Sequence, residues 1–192
     1  MEEFPELRSS RLILNQLTPN DAEVLYQLFS DPKVVEYYDL AAFTSTTQAA
    51  ELIELFQSRF ATGQGIRWAI RLATSGDFIG TCGFNTWNDK MQQATIGYDL
   101  LPEFWNKGYT SEAVEAILSA AFSGQLPCRT IFRIQADTVV GNTASEALLT
   151  KLGFSYEGTR RSAGFWKDSF HDLKCFSLLK SERSRTDNRA KN

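Results

Sequence analysis

The sequence is poor in the residues that build metal sites, disulfide frameworks and histidine-based catalytic centres. Its 192 residues include three cysteines and a single histidine, His171. Cys82, Cys128 and Cys175 are odd in number and form no C-x-x-C pair, so neither a disulfide framework nor a metal site is expected. A lone histidine with no serine or cysteine partner at a recognisable spacing is more often structural, which argues against a hydrolase-type centre.

Long apolar runs and strong net charge are also missing. No uninterrupted apolar run approaches the ~20 residues that cross a bilayer. The acidic start, residues 1–5, lacks the basic-then-apolar layout of a signal peptide. A formal net charge of -3 gives no support for a nucleic-acid partner. We therefore expect a cytoplasmic protein, either monomer or homodimer, that binds neither membrane nor nucleic acid.

The familiar phosphate-binding fingerprints are absent, since neither G-x-x-x-x-G-K-[ST] nor G-x-G-x-x-G occurs. The chain has instead a strand–loop–helix unit from Thr95 to Ala121, in which Pro102 stops the strand and Lys107 and Gly108 precede the helix. Such a unit directs backbone N–H groups and the positive end of a helix at one point, which suits a phosphate. The alternative is an ordinary connection that needs a glycine for its tight turn.

Hydrophobic periodicity predicts strands and helices in one α/β domain over residues 1–180, followed by a polar, disordered tail over residues 181–192. Helices are predicted to begin near Thr18, Ser45, Thr110 and Asn142. Residues 34–38 are predicted to be irregular, and an aromatic-rich loop is predicted between the last two strands. The predicted strands cover residues 11–17, 66–73, 78–87, 92–100, 129–136, 154–161 and 172–179.

Short motifs follow one another in a consistent order over residues 8–180. They are RLIL at 11–14, IG at 79–80, GY at 97–98, PEFWNKGYTSEA at 102–113, NTAS at 142–145, KLGF at 151–154, and Asp172 ahead of FSLL at 176–179. Together they resemble the GNAT acetyltransferases, and within them the RimJ/RimL-type protein N-acetyltransferases. The resemblance implies the GNAT fold: a mixed, mostly antiparallel sheet of six or seven strands, splayed at its centre, with helices on both faces.

The resemblance also implies acetyl-CoA as co-substrate and no metal. Acetyl-CoA would lie in the splay, with its pantetheine arm paired like an added strand along Tyr98, Asp99 and Leu100. Where relatives carry glycine this chain has Asn106, which is therefore expected to adopt a positive φ. The pyrophosphate would rest on the backbone amides of a loop formed by Trp105, Asn106, Lys107, Gly108, Tyr109 and Thr110.

The implied reaction is attack of an amine on the thioester carbonyl, with CoA thiolate leaving. An α-amine loses its proton near pH 7 at a cost of roughly 1 kcal/mol, whereas a lysine costs about 4–5 kcal/mol. A weak base then suffices for an N-terminal amine, and the leaving thiol needs an acid.

The resemblance makes Ser145 the candidate acid, although a serine in a first turn also often bonds local backbone. Asn142 would hold the pantetheine arm and cap the helix, and Leu149 stands where other members of the superfamily carry a tyrosine acid. The general base is open among Asp99, Glu36, Glu157 and a water relay.

The acceptor would lie between residues 34–43 and the loop over residues 162–168, with Glu36, Tyr37, Tyr38 and Trp166 as candidate contacts. The alternative is that these aromatic side chains fill a small satellite core. We expect acetyl transfer to a primary amine, in the first place the N-terminal α-amine of a ribosomal or other protein. The alternatives are a small-molecule acceptor, namely a polyamine, aminoglycoside or amino-acid-like compound, and a non-catalytic CoA-binding module.

Overall fold

The computed structural model describes residues 3–128 and 130–183. None of the helices in these two ranges is long and apolar enough to span a membrane. The helices are α1 (Ala22–Ser30), α2 (Thr46–Ala61), α3 (Tyr109–Ser123) and α4 (Thr143–Lys151). The strands are β1 (Leu7–Arg8), β2 (Leu12–Gln16), β3 (Ile66–Leu72), β4 (Phe78–Asn88), β5 (Gln93–Leu100), β6 (Arg133–Val139), β7 (Ser155–Trp166) and β8 (Ser169–Leu179).

The strands form one sheet in the order β1-β2-β3-β4-β5-β6-β8-β7. Neighbouring strands are antiparallel except β5 and β6, which are parallel. The mixed, mostly antiparallel sheet is as predicted, but it has eight strands rather than six or seven. The additional strand is β1, whose two residues are too short to give a periodic signal.

Helices cover both faces of the sheet, because alternate residues of each strand point to opposite sides. On one face Trp68 and Ile70 of β3 share a core with residues of α3 and with Leu149 of α4. On the other face Ala69 packs with residues of α1 and α2, including Leu28. Each large aliphatic side chain buried in this way contributes about 1.5–3 kcal/mol.

The sheet is splayed between β5 and β6. Their first three residues pair, 93–95 with 133–135, and no further pairing of these two strands follows in the described residues. At the same level β4 has one extra residue, Asn85. Phe84 on one side of it pairs with Ile96 of β5, and Thr86 on the other side pairs with Thr95. A bulge of this kind bends a strand and increases its twist. It therefore turns β4 and β5 away from β6, and the cleft opens toward the C-terminal ends of β5 and β6.

Two predicted boundaries differ from the structure. β6 begins at Arg133 rather than at residue 129, which lies outside the described residues. The predicted loop between the last two strands is wrong, because β7 and β8 continue into it as one long hairpin. Its tip is a two-residue turn in which Lys167 and Asp168 have φ of 50° and 56°, the twist that hairpins prefer.

Only the first three residues of the predicted tail are described. Arg183 donates to the Ser119 hydroxyl at 3.3 Å and pairs with Glu115, so this part of the chain packs against α3. Residues 184–192 lie outside the described part of the chain.

Candidate active site

β5 has one edge paired with β4 and one open edge beyond its third residue. The Leu101 N–H donates to the Ile79 carbonyl at 2.9 Å. Because antiparallel neighbours alternate between hydrogen-bonded and non-bonded pairs, Asp99 also turns its backbone groups toward β4. Tyr98 and Leu100 consequently turn theirs toward the open edge, where an extended ligand with amide groups can pair.

An indole closes the end of this open edge. Trp105 Nε1 donates to the Leu100 carbonyl at 2.7 Å. This residue of the predicted loop therefore fixes the loop relative to β5. The backbone groups of Tyr98 lie further into the cleft and carry no strand partner on that side within the described residues.

The loop after β5 exposes amide groups at the start of α3. Asn106 and Gly108 have φ of 58° and 80°, so the expected positive φ of Asn106 is observed. The Glu112 N–H is bonded to the Gly108 carbonyl at 3.1 Å, and it marks the first turn of the helix. The N–H groups of Tyr109 and Thr110 precede it and have no intrahelical acceptor. Alternating left- and right-handed residues make a concave nest of N–H groups that binds anions.

Aromatic side chains hold this loop. The rings of Phe104 and Tyr109 pack edge-on, with centroids 6.1 Å apart. The Lys107 ammonium lies 5.5 Å from the Phe104 ring centroid and is exposed. Lys107 therefore adds positive charge beside the nest of amides.

The start of α4 forms the opposite wall of the cleft. Asn142 caps the helix as predicted, because its side-chain oxygen accepts from the Ser145 N–H at 3.2 Å. The Ser145 side chain lies near the Tyr98 phenol across the cleft. Burial raises the pKa of Tyr98, and the interaction with Ser145 lowers it in part. Leu149 is fully buried.

A buried ion pair lies on the other face of β5, next to the expected acceptor side. Asp99 pairs with Arg67 of β3 and accepts from the Thr81 hydroxyl at 3.0 Å, and the two charged side chains are 1% and 4% exposed. Arg67 also donates to Asn85 at 2.9 Å. Burial and the charge of Asp99 raise the pKa of Tyr38, which lies beside the pair. The Asp99 carboxylate is therefore paired within the fold, while Tyr98 faces the cleft.

Of the other two candidate bases, Glu157 lies away from the open part of the splay. Glu157 binds Arg133 at 2.7 Å and Ser177 at 2.8 Å, and these bonds lower the pKa of Glu157 to about 2. Arg133 is at the paired end of β6, about 20 Å along the strand from its open end. Glu36 is exposed on the segment between α1 and α2.

The sequence reasoning missed Asp137. It lies two residues beyond Gln135, the last residue of β6 that pairs with β5, and on the same face of the sheet as Gln135. Its Oδ2 accepts from Arg160 at 2.6 Å, and the Gln135 amide lies 3.2 Å from each carboxylate oxygen. The Asp137 side chain is 23% exposed, so a ligand can reach it. Alternation along β6 could have predicted the face of the sheet on which Asp137 lies. No sequence pattern, however, predicts the bulge in β4 that opens the splay.

Residues 34–43, which we call the strap, cross the acceptor side of the cleft. Lys167 Nζ, at the tip of the β7–β8 hairpin, donates to the Val35 carbonyl at 2.6 Å. The Tyr37 ring lies 3.8 Å from the point where a Cβ on Gly141 would stand, just before α4. The strap is thus tied to the hairpin and to the loop after β6.

The hairpin aromatics are placed differently from those of the strap. Trp166 stacks on His171 with ring centroids 4.2 Å apart and an angle of 11°. Phe165 and Phe170 pair with each other and are 62% and 68% exposed. Trp166 is therefore held within the hairpin, whereas Tyr37 lies beside Gly141 and Tyr38 packs on Phe29 of α1 in the core beneath the strap.

An open strand edge, a nest of amides at a helix start and a capped helix opposite them define a cleft for a long ligand that carries phosphates. The model of the acetyltransferase (GNAT) domain matches residues 11–155, and the chain belongs to this family. It is 36% identical over 177 residues to the uncharacterized N-acetyltransferase YoaA of Bacillus subtilis, covering 92% of this chain and 98% of YoaA.

Solved structures agree on the fold. An acetyltransferase of Salmonella typhimurium that modifies the N-terminal serine of 50S ribosomal subunit protein L7/L12 superposes with a TM-score of 0.81 at 21% identity, covering 91% of this chain and 99% of that one. The Microcin C7 self-immunity acetyltransferase MccE, in complex with acetyl-CoA and AMP, gives 0.79 at 23% identity, covering 89% and 93%. The chain is an acetyl-CoA-dependent N-acetyltransferase, and its acceptor is a protein or a small molecule.

Proposed function

We propose that this enzyme acetylates the N-terminal α-amine of a protein. The observation that carries the proposal is the pairing of the two carboxylates on the acceptor face of the splay. Asp99 and Asp137 are both paired with arginines, so neither is free of a cationic partner to serve as a dedicated general base. An α-amine needs little help from a base, since it loses its proton near pH 7 at roughly 1 kcal/mol, whereas a lysine or polyamine costs about 4–5 kcal/mol.

The cleft supplies the remaining parts. Backbone groups of Tyr98 and Leu100 would pair with the pantetheine arm, and the amides between Asn106 and Thr110 would receive the pyrophosphate. Once the carbon–nitrogen bond has formed, the Ser145 hydroxyl would give its proton to the thiolate as the carbon–sulfur bond breaks. The serine would then regain a proton from the nitrogen of the new amide through solvent, so that the proton lost by the amine ends on the CoA thiol. The capped start of α4 would stabilise that thiolate by about 0.3–2 kcal/mol.

On the acceptor side, Asp137 has one carboxylate oxygen without a charged partner. We place the acceptor amine against this oxygen, with Tyr37 of the strap as a neighbouring wall. The tie between Lys167 and Val35 narrows the same side of the cleft. This tie favours a second candidate, a small amino-acid-like compound that also carries an α-amine, as the runner-up acceptor.

An acetyl-transfer screen tests the acceptor. Peptides with free N-termini, including those of ribosomal proteins, are compared with N-terminally blocked peptides that contain lysine, with free amino-acid amides and with polyamines. Release of CoA thiol gives the rate, and mass spectrometry gives the modified position. Transfer to free N-termini with an apparent pKa near that of an α-amine, about 7.7–8.0, supports the proposal. Preferred transfer to blocked peptides or polyamines would contradict it.

A glycine variant tests the proposed pyrophosphate site on the amides between Asn106 and Thr110, which we call the phosphate seat. This test needs no acceptor. Gly108→Val places a side chain where φ is 80° and where a Cβ already lies 3.4 Å from Arg11. We expect acetyl-CoA affinity, measured by calorimetry, to fall by about tenfold or more, since one or more charge-assisted hydrogen bonds are lost. The matched control is Gly124→Val at the other end of α3, where φ is 77° and no atom lies within 4 Å. Equal acetyl-CoA affinities in the two variants would contradict binding of the pyrophosphate by this loop.

A further inference from the structure

The turn between β1 and β2 contacts the proposed phosphate seat from the side away from the cleft. Glu112, in the first turn of α3, accepts hydrogen bonds from the hydroxyls of Ser9 and Ser10 at 2.7 and 2.9 Å. It also accepts from the Arg11 backbone N–H at 2.8 Å and from Arg11 Nε at 2.6 Å. One carboxylate therefore joins the N-terminal hairpin to the helix whose start carries the free amides.

This carboxylate stays ionised. Burial alone would raise the pKa of Glu112, but its hydrogen bonds, led by that from Ser9, lower it to about 2. The side chain is 16% exposed, and Arg11 is 47% exposed. The Arg11 guanidinium is thus held by a permanent negative charge while part of it faces solvent.

Arg11 contacts three successive residues of the loop. Its Nη1 donates to the Lys107 carbonyl at 3.1 Å. Its Nη2 lies 3.4 Å from the position of a Cβ on Gly108. The guanidinium carbon lies 4.5 Å from the centroid of the Tyr109 ring.

The bond to Lys107 fixes the direction of the next amide. A trans peptide is planar, so the Lys107 carbonyl and the Gly108 N–H point in opposite directions. Because Arg11 draws the carbonyl to itself, the Gly108 N–H points away from the hairpin.

We infer that Arg11 is a positioning residue for the phosphates of the co-substrate. Glu112 holds Arg11, and Arg11 holds the Lys107–Gly108 peptide so that the amides of the seat face the ligand. The inference rests on the proposed location of the pyrophosphate. It makes the N-terminal hairpin part of the acetyl-CoA site, although its residues lie far from the splay in the sheet order.

Binding of two ligands to the intact protein tests the inference. Calorimetry compares acetyl-CoA with S-acetylpantetheine, which has the same thioester and arm but no phosphates and is titrated to millimolar concentration. Arg11→Ala should weaken acetyl-CoA binding by about tenfold and change S-acetylpantetheine binding less than about twofold. Arg11→Lys should lose most of the same affinity, because an ammonium cannot hold Glu112 and the Lys107 carbonyl with the fixed geometry of a guanidinium.

The matched control is Arg8→Ala, in the same hairpin, whose side chain is 67% exposed and pairs with Glu6. It should bind both ligands like the wild type. Wild-type acetyl-CoA affinity in Arg11→Ala, full affinity in Arg11→Lys, or equal losses on both ligands would each overturn the inference. If Gly108→Val weakens acetyl-CoA binding and Arg11→Ala does not, the seat stands and Arg11 has no part in it. If neither variant weakens binding, the seat itself is wrong.

Discussion

A substitution of Asp99, the partner of Arg67, tests whether this carboxylate has a structural or a catalytic role. Asp99→Asn keeps the shape of the side chain and removes its charge. Arg67 would retain its bonds to Thr81 at 2.9 Å and Asn85 at 2.9 Å. Its positive charge, however, would remain buried at 4% exposure with no counter-ion. The cost of the substitution is therefore expected in folding stability.

The magnitude follows from this burial. Removing one partner of a buried ion pair costs about 3–5 kcal/mol. The lower end applies here, about 3 kcal/mol, because asparagine can still accept a hydrogen bond from Arg67. For a domain of this length each kcal/mol lowers the unfolding midpoint by about 2–4 °C, so we expect a decrease of about 6–12 °C.

Urea unfolding at 25 °C measures the change in free energy, and the slope with urea should match that of the wild type. The control is Glu6→Gln, which breaks the exposed pair of Arg8 and Glu6 and should cost less than about 1 kcal/mol. The double variant Arg67→Met with Asp99→Leu should recover much of the loss, since it leaves no buried charge. Acetyl-CoA affinity of the folded Asp99→Asn variant should stay near the wild-type value.

One outcome refutes this reasoning. If Asp99→Asn unfolds at the wild-type urea concentration but loses acetyl transfer by about a hundredfold, Asp99 takes part in proton transfer. The buried pair would then include the general base, and the α-amine acceptor, which we infer from the lack of a free carboxylate base, would lose its support.

Two further predictions concern the first turns of α4 and α3. Ser145→Ala should lower turnover by about tenfold or more with acetyl-CoA affinity near wild type, because the leaving thiolate loses its acid; unchanged turnover on the acceptor found by the screen would remove Ser145 from the mechanism. Glu112 has its pKa lowered from 4.5 to about 2, so its stabilisation is complete above pH 4.5 and is lost as the pH falls toward 2. The melting temperature of the wild type should therefore fall more steeply than that of Glu112→Gln between these pH values, and equal slopes would contradict the assignment.

Local features of the site were predictable from sequence, because their causes lie within a few residues. The cap of α4 by Asn142 needs only the Ser145 amide three positions on. The positive φ of Asn106 follows from the place of a glycine in relatives. The helix predicted to begin near Ser45 does so, with Ser45 and Gln48 forming a capping box. In each case the deciding contact is short-range.

The features that the sequence did not show depend on partners far along the chain. The pairing of Asp99 could not be predicted, because nothing near it in sequence shows that Arg67 lies opposite on β3. The hairpin tip was read as a loop because Lys167 and Asp168 form its turn without the glycine or asparagine that usually marks one. The role of Glu112 was missed for a similar reason, since its partners Ser9 and Arg11 lie far earlier in the chain.

The open edge of β5 has a consequence for the protein when no co-substrate is bound. A row of unpaired N–H and C=O groups at the rim of a sheet is a template for another chain, and proteins usually blunt such rims with charge, proline or bulges. Here the row lies in the middle of the sheet, between the wall at Ser145 and the strap at Tyr37. A molecule one strand wide can enter this slot, whereas the edge of a second sheet brings neighbouring strands about 4.8 Å away and does not fit. The position of the open edge in the middle of the sheet thus admits a single extended ligand and also protects the chain from self-association along β5.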